Sequence, residues 1–161
     1  MATEKTKKRI KVILLTLLVG TILGGSYALY VWNMPHLDVQ AQKADFLIES
    51  SILVSEYSQN EKTANEKYLN NDGDSKIFVV KGMVKSKGMD MNKQITILLQ
   101  GENDKAGVNC VFTSATNKNA EALEIGNNAI IKGIIRSGAK YDSDLGLYEN
   151  VLLEKCDVAT E

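Results

Sequence analysis

The spacing of apolar and polar residues changes character along this chain, and each change marks a different kind of element. From Val12 to Trp32 no residue is charged. Those 21 residues would make a helix of about 31 Å at roughly 1.5 Å per residue, the thickness of a bilayer's hydrocarbon core. Pro35 ends that helix, because proline has no backbone N–H to donate. From residue 36 to 70 apolar residues are sparser and recur at helical spacing, as at Ile48, Ile52, Leu53 and Tyr57, with Ser50 a candidate N-cap. Asn60 is a candidate cap for a second short helix, Glu61 to Leu69. There Ala64 and Tyr68 share a face, and Lys62 and Glu66 stand one turn apart. The run Asn70-Asn71-Asp72-Gly73-Asp74 supplies turn residues.

From Ser75 the period is two. Strands are predicted at Ile77 to Val84, at Gln94 to Gln100 (Ile95, Ile97 and Leu99 on one face) and at Gly107 to Ser114 (Val108, Cys110 and Phe112 on one face). Thr116 to Leu123 is polar and reads as a short helix. Asn128 to Arg136 is a fourth strand, Ser137 to Gly146 a loop rich in Gly, Ser and Asp, and Leu147 to Asp157 a fifth strand. Three strands, a helix and two strands is the order of an OB-fold, a five-stranded Greek-key barrel with a helix between its third and fourth strands. The fold class is therefore mainly β. Residues 1–11 form a basic tail, 12–32 a transmembrane segment, 33–74 a helical pre-barrel segment and 75–158 the barrel. Val79-Val80-Lys81-Gly82-Met83-Val84 echoes Ile130-Ile131-Lys132-Gly133-Ile134-Ile135. A glycine inside a strand usually marks a bulge or bend, so Gly82 and Gly133 are the candidate strand bends of the barrel.

Charge gives the apolar run a direction. Lys5, Lys7, Lys8, Arg9 and Lys11 all precede it, so the positive-inside rule keeps that end in the cytoplasm and exports the rest. Tyr27, Tyr30 and Trp32 lie at the far end, where aromatic rings sit among headgroups. Lys8, Arg9, Lys11, Tyr30 and Trp32 are the expected membrane-interface residues. A cleaved signal peptide is the competing reading, with an apolar region from Val12 to Leu23 and small residues at Ser26 and Ala28. The length of the full run and its distal rings favour a retained anchor over cleavage near Ala28. No cysteine lies near the segment, which removes a lipid-modified N-terminus. Gly20 and Gly24 form a GxxxG step on which two anchors can pair weakly.

The first 35 residues hold five of the chain's 19 basic residues and one of its 20 acidic ones. The remainder carries 14 basic and 19 acidic residues, a net charge of −5. A surface that neutralises phosphates needs the opposite sign, so nucleic acid is disfavoured as a partner.

Candidate chemistry is thin. Cys110 and Cys156 form no CxxC or Cys/His cluster, and His36 is the lone histidine, so no metal site is expected. Cys110 falls on the third barrel strand and Cys156 on the fifth, which are neighbours in an OB barrel. Export then favours a disulfide between them, with two buried free thiols as the alternative. OB-folds bind ligands on the face of strands two and three and with the loops L12 and L45. Here L12 is roughly Ser86 to Lys93 and L45 is Ser137 to Gly146. Arg136, Lys140 and Tyr141 are the candidate ligand residues of L45. Phe112 shares the apolar Val108 face and belongs to the core. Asp142-Ser143-Asp144 and Asp72-Gly73-Asp74 lack the twelve-residue EF-hand pattern and read as turns. No catalytic triad, phosphate-binding glycine loop or paired carboxylates appear, so neither an enzyme nor a cofactor is expected.

The chain resembles the tRNA_anti-like family of bacterial envelope proteins, which carry an N-terminal anchor and an OB-fold domain. The resemblance rests on Trp32-Asn33-Met34-Pro35-His36, Asp38-Val39, Lys43-Ala44-Asp45-Phe46, Asn60-Glu61 with Ala64, and Lys67-Tyr68-Leu69. It continues through Val80-Lys81-Gly82-Met83-Val84, Val108-Asn109-Cys110-Val111-Phe112, Gly126 with Ile131-Lys132-Gly133, and Leu152-Leu153-Glu154-Lys155-Cys156. Together these cover most of residues 30–157. Leu37 stands where a basic residue is expected, and Asn70 to Asp74 makes a longer entry to the first strand than is usual. The resemblance implies a fold and an address but no defined activity, since a shared fold does not carry function. The expectation is a non-enzymatic, membrane-anchored binding or assembly module with a protein, peptide or glycan partner in the envelope. An oligonucleotide-binding OB domain is the alternative.

Overall fold

The computed structural model describes residues 4–32, 39–69 and 76–159. The expected helix stop at Pro35, His36, the departure at Leu37 and the Asn70 to Asp74 turn lie outside the described residues. The chain divides into two units, residues 1–37 and residues 38–161.

The described residues of the first unit form one helix, α1 (Glu4–Trp32). It continues the basic tail and the apolar run without a break. Its side chains from Lys11 to Tyr30 are exposed.

The second unit begins with a short strand, β1 (Phe46–Glu49), and two helices, α2 (Ser50–Gln59) and α3 (Glu61–Tyr68). The barrel strands are β2 (Ile77–Met89), β3 (Ile95–Leu99), β4 (Val108–Phe112), β5 (Asn128–Ser137) and β8 (Val151–Val158). Between β4 and β5 lies α4 (Asn117–Glu121). Between β5 and β8 a small hairpin intervenes, β6 (Lys140–Asp142) and β7 (Leu147–Glu149). The strands run β2-β3-β4-β8-β5, and β5 pairs back onto β2 to close the barrel. The β4–β8 pairing is parallel and the other barrel pairings are antiparallel. This is the OB-fold, with α4 between its third and fourth strands.

Closure depends on β2 serving two neighbours. Its residues 77–83 pair with β5 and residues 84–89 pair with β3, with a register shift between Val84 and Ser86. A second shift, between Lys132 and Ile134 of β5 against β8, falls at Gly133. A β-carbon on Gly133 would lie 2.6 Å from Cys156 Sγ and 3.1 Å from the Glu154 carbonyl oxygen. One on Gly82 would meet the Ser50 side chain. Both glycines of the Lys-Gly echo are therefore points of close approach, which β-branched strand residues would obstruct.

The core is the inward set of each strand, with Val80, Val84, Ile97, Leu99, Val108, Phe112, Ile131 and Leu153 fully covered. The α2–α3 hairpin covers part of this core with a ring cluster. Phe46 stacks on Phe78 at 5.0 Å and meets Tyr68 edge-on at 5.0 Å, and Tyr68 meets Phe78 at 5.3 Å. Such contacts add about 0.5–1.5 kcal/mol each beyond area burial. At α4, the Asn117 side chain accepts from the Ile95 N–H and donates to the Lys93 carbonyl, while the Lys87 ammonium donates to the Glu121 carbonyl.

Four features differ from the sequence expectation. Phe46 to Glu49 is a strand rather than part of a helical segment, because the edge of β2 at Phe78 to Lys81 offers it a parallel partner. Ser50 is the first residue of α2 rather than its cap. The expected Lys62–Glu66 pairing gives way to an ion pair between Lys67 and Glu56 at 2.7 Å, which joins α3 to α2. The fifth barrel strand starts at Val151, and Leu147 to Glu149 belongs to the hairpin instead, held by Tyr141 opposite Tyr148.

Candidate functional site

In the first unit, the described helix is long and apolar enough to cross a membrane from Lys11 to Tyr30. Arg9 and Lys11 stand exposed at its start and Tyr30 near its end. The side chains of Lys8 and Trp32 lie outside the described residues. A β-carbon at Gly20 or Gly24 would meet nothing within 4 Å, so that face of the helix is open.

In the second unit, the outward face of β3 and β4 is set by alternation. Inward positions are buried, and Thr96, Leu98, Asn109 and Val111 are half-buried on the other side. Thr96 stands opposite Val111 and Leu98 opposite Asn109, and Asn109 continues the second row to Leu152 of β8. None of these side chains is charged or aromatic. The two flanking segments do carry exposed apolar side chains, Met89 at the end of β2 and Met91 in the turn to β3 on one side, and Tyr141, Leu145 and Leu147 in the hairpin on the other.

The L45 candidates are engaged within the domain. Arg136 Nε donates to Glu154 at 2.7 Å, and Lys140 stands 3.8 Å from Glu149. Tyr141 packs against Tyr148 with ring centroids 4.9 Å apart, and the Lys105 ammonium lies 5.6 Å from the Tyr148 ring. Asp142 accepts the N–H groups of Asp144 and Leu145, so Asp142-Ser143-Asp144 is a turn.

The expected disulfide is not formed in the structure. Cys110 and Cys156 are free and buried. They lie on paired strands, where Phe112 is opposite Cys156 and Cys110 opposite Leu153. Burial, then the hydrogen bond with the Cys110 side chain, pushes the Cys156 thiol well above its usual range. Both sulfurs thus act as small core groups. The Lys67 ammonium, hydrogen-bonded to Glu56, holds that carboxyl below its usual range, and the Tyr68 hydroxyl donates to the same group at 2.8 Å. Among the described residues no group of three or more His, Cys, Asp or Glu is placed to hold a metal ion.

Sequence reasoning missed a second recess. A groove of about 740 Å³ runs along β1 and is lined by Leu47, Ile48, Glu49, Ile52, Val79, Lys81 and Ile130. A cleft of about 310 Å³ shares Glu49 and Lys81 with it and adds Ser50, Gly82 and Asn128 at the start of α2. The signal was the alternation in Phe46-Leu47-Ile48-Glu49, which is too short to stand out from the helical spacing around it.

No curated relative matches the chain in sequence. Among solved structures it is similar to a lipoprotein from Klebsiella pneumoniae subsp. pneumoniae named as a candidate nucleic acid-binding protein, at a TM-score of 0.52. The two are 18% identical, and the match covers 79% of this chain and 100% of that one. At that identity the likeness speaks for the fold alone. The model of the tRNA_anti-like family matches residues 1–147, from the basic tail through the first four barrel strands into the hairpin, and the chain belongs to that family.

Proposed function

We propose that this protein is a membrane-tethered, non-enzymatic binding module. Its α1 is a retained anchor, its OB domain faces the cell envelope, and β3 and β4 take a protein or peptide partner. The observation that carries the reading is the outward face of those strands. Thr96, Leu98, Asn109 and Val111 offer small polar and aliphatic contacts with no charge and no ring. Single-strand binders stack bases on aromatic side chains in a basic groove. Protein interfaces instead favour uncharged centres and are enriched in Met and Tyr, residue types exposed on the two flanking segments. The net charge of −5 outside the first 35 residues supports the same choice.

The test is a photo-crosslinking residue placed at Asn109 in native membranes, with Lys118 as the control position. A discrete adduct from position 109 that disappears in a Val111→Lys background is the expected result. Tight, salt-dependent binding of single-stranded oligonucleotides by the purified protein would overturn this reading in favour of the oligonucleotide-binding alternative.

A further inference from the structure

We propose that residues 39–44 form a releasable strap. Closed, it holds the seam between β5 and β8 shut over the Cys156 thiol. Released, it opens that seam and bares the thiol while the rest of the barrel stays folded. The strap lies outside β3 and β4 and does not rest on the role given to them.

The seam is irregular at one place. Lys132 stands opposite Asp157 and Ile134 opposite Glu154, so Gly133 alone faces both Lys155 and Cys156. A bulge of this kind interrupts the ladder of hydrogen bonds. Lys155 takes the left-handed conformation, with a φ of 52°, which a residue with a side chain seldom adopts. Such backbone persists only where its surroundings hold it. The Cys156 sulfur lies against the bulge, since a β-carbon on Gly133 would stand 2.6 Å from it. Here the backbone of β5 is what covers the thiol.

The strap braces this place from outside. Gln40 Nε2 donates to the Lys132 carbonyl at 3.4 Å and to the Lys155 carbonyl at 3.3 Å, one on each strand of the seam. Lys132 in turn donates from its ammonium to the carbonyls of Gln40 and Gln42. Val39 packs with Ile77 and Ile134 in a small buried cluster apart from the barrel core, and Ala44 lies against it.

Release of the strap is a local event. Residues 39–44 have turns and a bend but no helix or strand of their own. Their apolar contacts belong to the small cluster, so their departure leaves the barrel core in place. Segments with so few buried contacts open at free energies well below that of global unfolding. The opening stops at Asp45, which donates its N–H to the Ile77 carbonyl at 2.8 Å and accepts the Ile77 N–H on its carboxylate at 2.7 Å. On the far side of the seam β8 keeps its pairing with β4, and the Thr116 hydroxyl keeps its bond to the Cys156 carbonyl at 2.7 Å. Cys110, on β4 opposite Leu153, stays covered. The strap is also where the chain from α1 enters the second unit, so a pull on that chain loads the strap before it loads the barrel.

The experiment uses the full chain in lipid nanodiscs. N-ethylmaleimide is applied under native conditions over long incubations, and peptide mass spectrometry reads the two cysteines separately. In the wild type, sub-denaturing urea should hardly change the slow labelling of Cys156, because a local opening exposes little surface. Labelling of Cys110 should follow the slope of global unfolding. Gln40→Ala and Lys132→Met should each speed labelling of Cys156 by about tenfold, the effect of losing one or two hydrogen bonds, with a much smaller change at Cys110. Asn60→Ala, which acts on the α2–α3 hairpin instead, should speed Cys110 and leave Cys156 unchanged. Equal urea slopes at the two cysteines of the wild type would overturn the strap, because Cys156 would then open only with the whole domain. Equal acceleration of both cysteines in the strap variants, or an unchanged Cys156 rate in variants whose urea midpoints show them folded, would overturn it too. The wild-type slopes decide the matter even where a variant fails to fold.

Discussion

Tyr57 carries a buried hydroxyl with no hydrogen-bond partner among the described residues. Its ring is well placed, tilted against Tyr68 at 6.1 Å and lying on the backbone at Gly138, where a β-carbon would collide with it. The ring is therefore kept for its apolar body, while the oxygen is desolvated without compensation, which ordinarily costs about 1–3 kcal/mol. Burial raises its pKa to about 12 from the usual 10. Tyr57→Phe keeps the ring contacts and removes the stranded oxygen, so at neutral pH its melting temperature should equal or exceed that of the wild type. The sign at alkaline pH follows from linkage. The unfolded chain loses this proton near 10 and the folded chain near 12, so wild-type stability declines across that window. Melts of the phenylalanine variant between those pH values should show a shallower decline. Equal slopes would mean that the hydroxyl reaches water. Sequence spacing places Tyr57 on an apolar face. It says nothing of the oxygen, because the ring's seat depends on Gly138, 81 residues further along the chain.

At the scale of elements, Asn60 shows which signals were legible. It sits between α2 and α3, donates its own N–H to the Glu56 carbonyl at 3.1 Å, and accepts the Thr63 N–H on its side chain at 3.1 Å. Asn60→Ala should lower stability by about 1 kcal/mol, the usual cost of losing an N-cap, measured by urea unfolding. An unchanged midpoint would mean that the ion pair between Glu56 and Lys67 already fixes the hairpin. A cap is readable because it is local, and so is the period of two that marked the barrel strands. Elements that depend on distant partners were not readable. β1 is four residues long, and its strand character comes from an edge presented some 30 residues later. Ser50 looked like a cap because the apolar period starts after it, but the helix already includes it, since β1 ends at Glu49. The β6–β7 hairpin hid in a loop of Gly, Ser and Asp because its stability lies in pairs such as Tyr141 with Tyr148, set nearly as much by the turn between them as by strand pattern. The same limit concealed the groove, whose walls come from β1, α2, β2 and β5.

At the scale of the whole molecule, the basic cluster, the apolar helix and the acidic remainder form one sequence-level gradient. The similar Klebsiella pneumoniae protein is a lipoprotein, whereas this chain has no cysteine near its apolar run, and its helix is long and apolar enough to cross a membrane from Lys11 to Tyr30. Its two cysteines lie deep in the barrel as free thiols, so a thiol reagent reads topology and redox state in one experiment. In intact spheroplasts, a membrane-impermeant maleimide should label Met91→Cys, a position 95% exposed. It should label Thr6→Cys only after lysis. The wild type should stay unlabelled until it is denatured, and both thiols should then react without a reductant. Labelling of position 6 in intact spheroplasts would reverse the orientation. A mature chain lacking residues 1–28 would carry no label there and would make the helix a cleaved signal. Reaction of the wild type only after reduction would mean that the pair closes once exported.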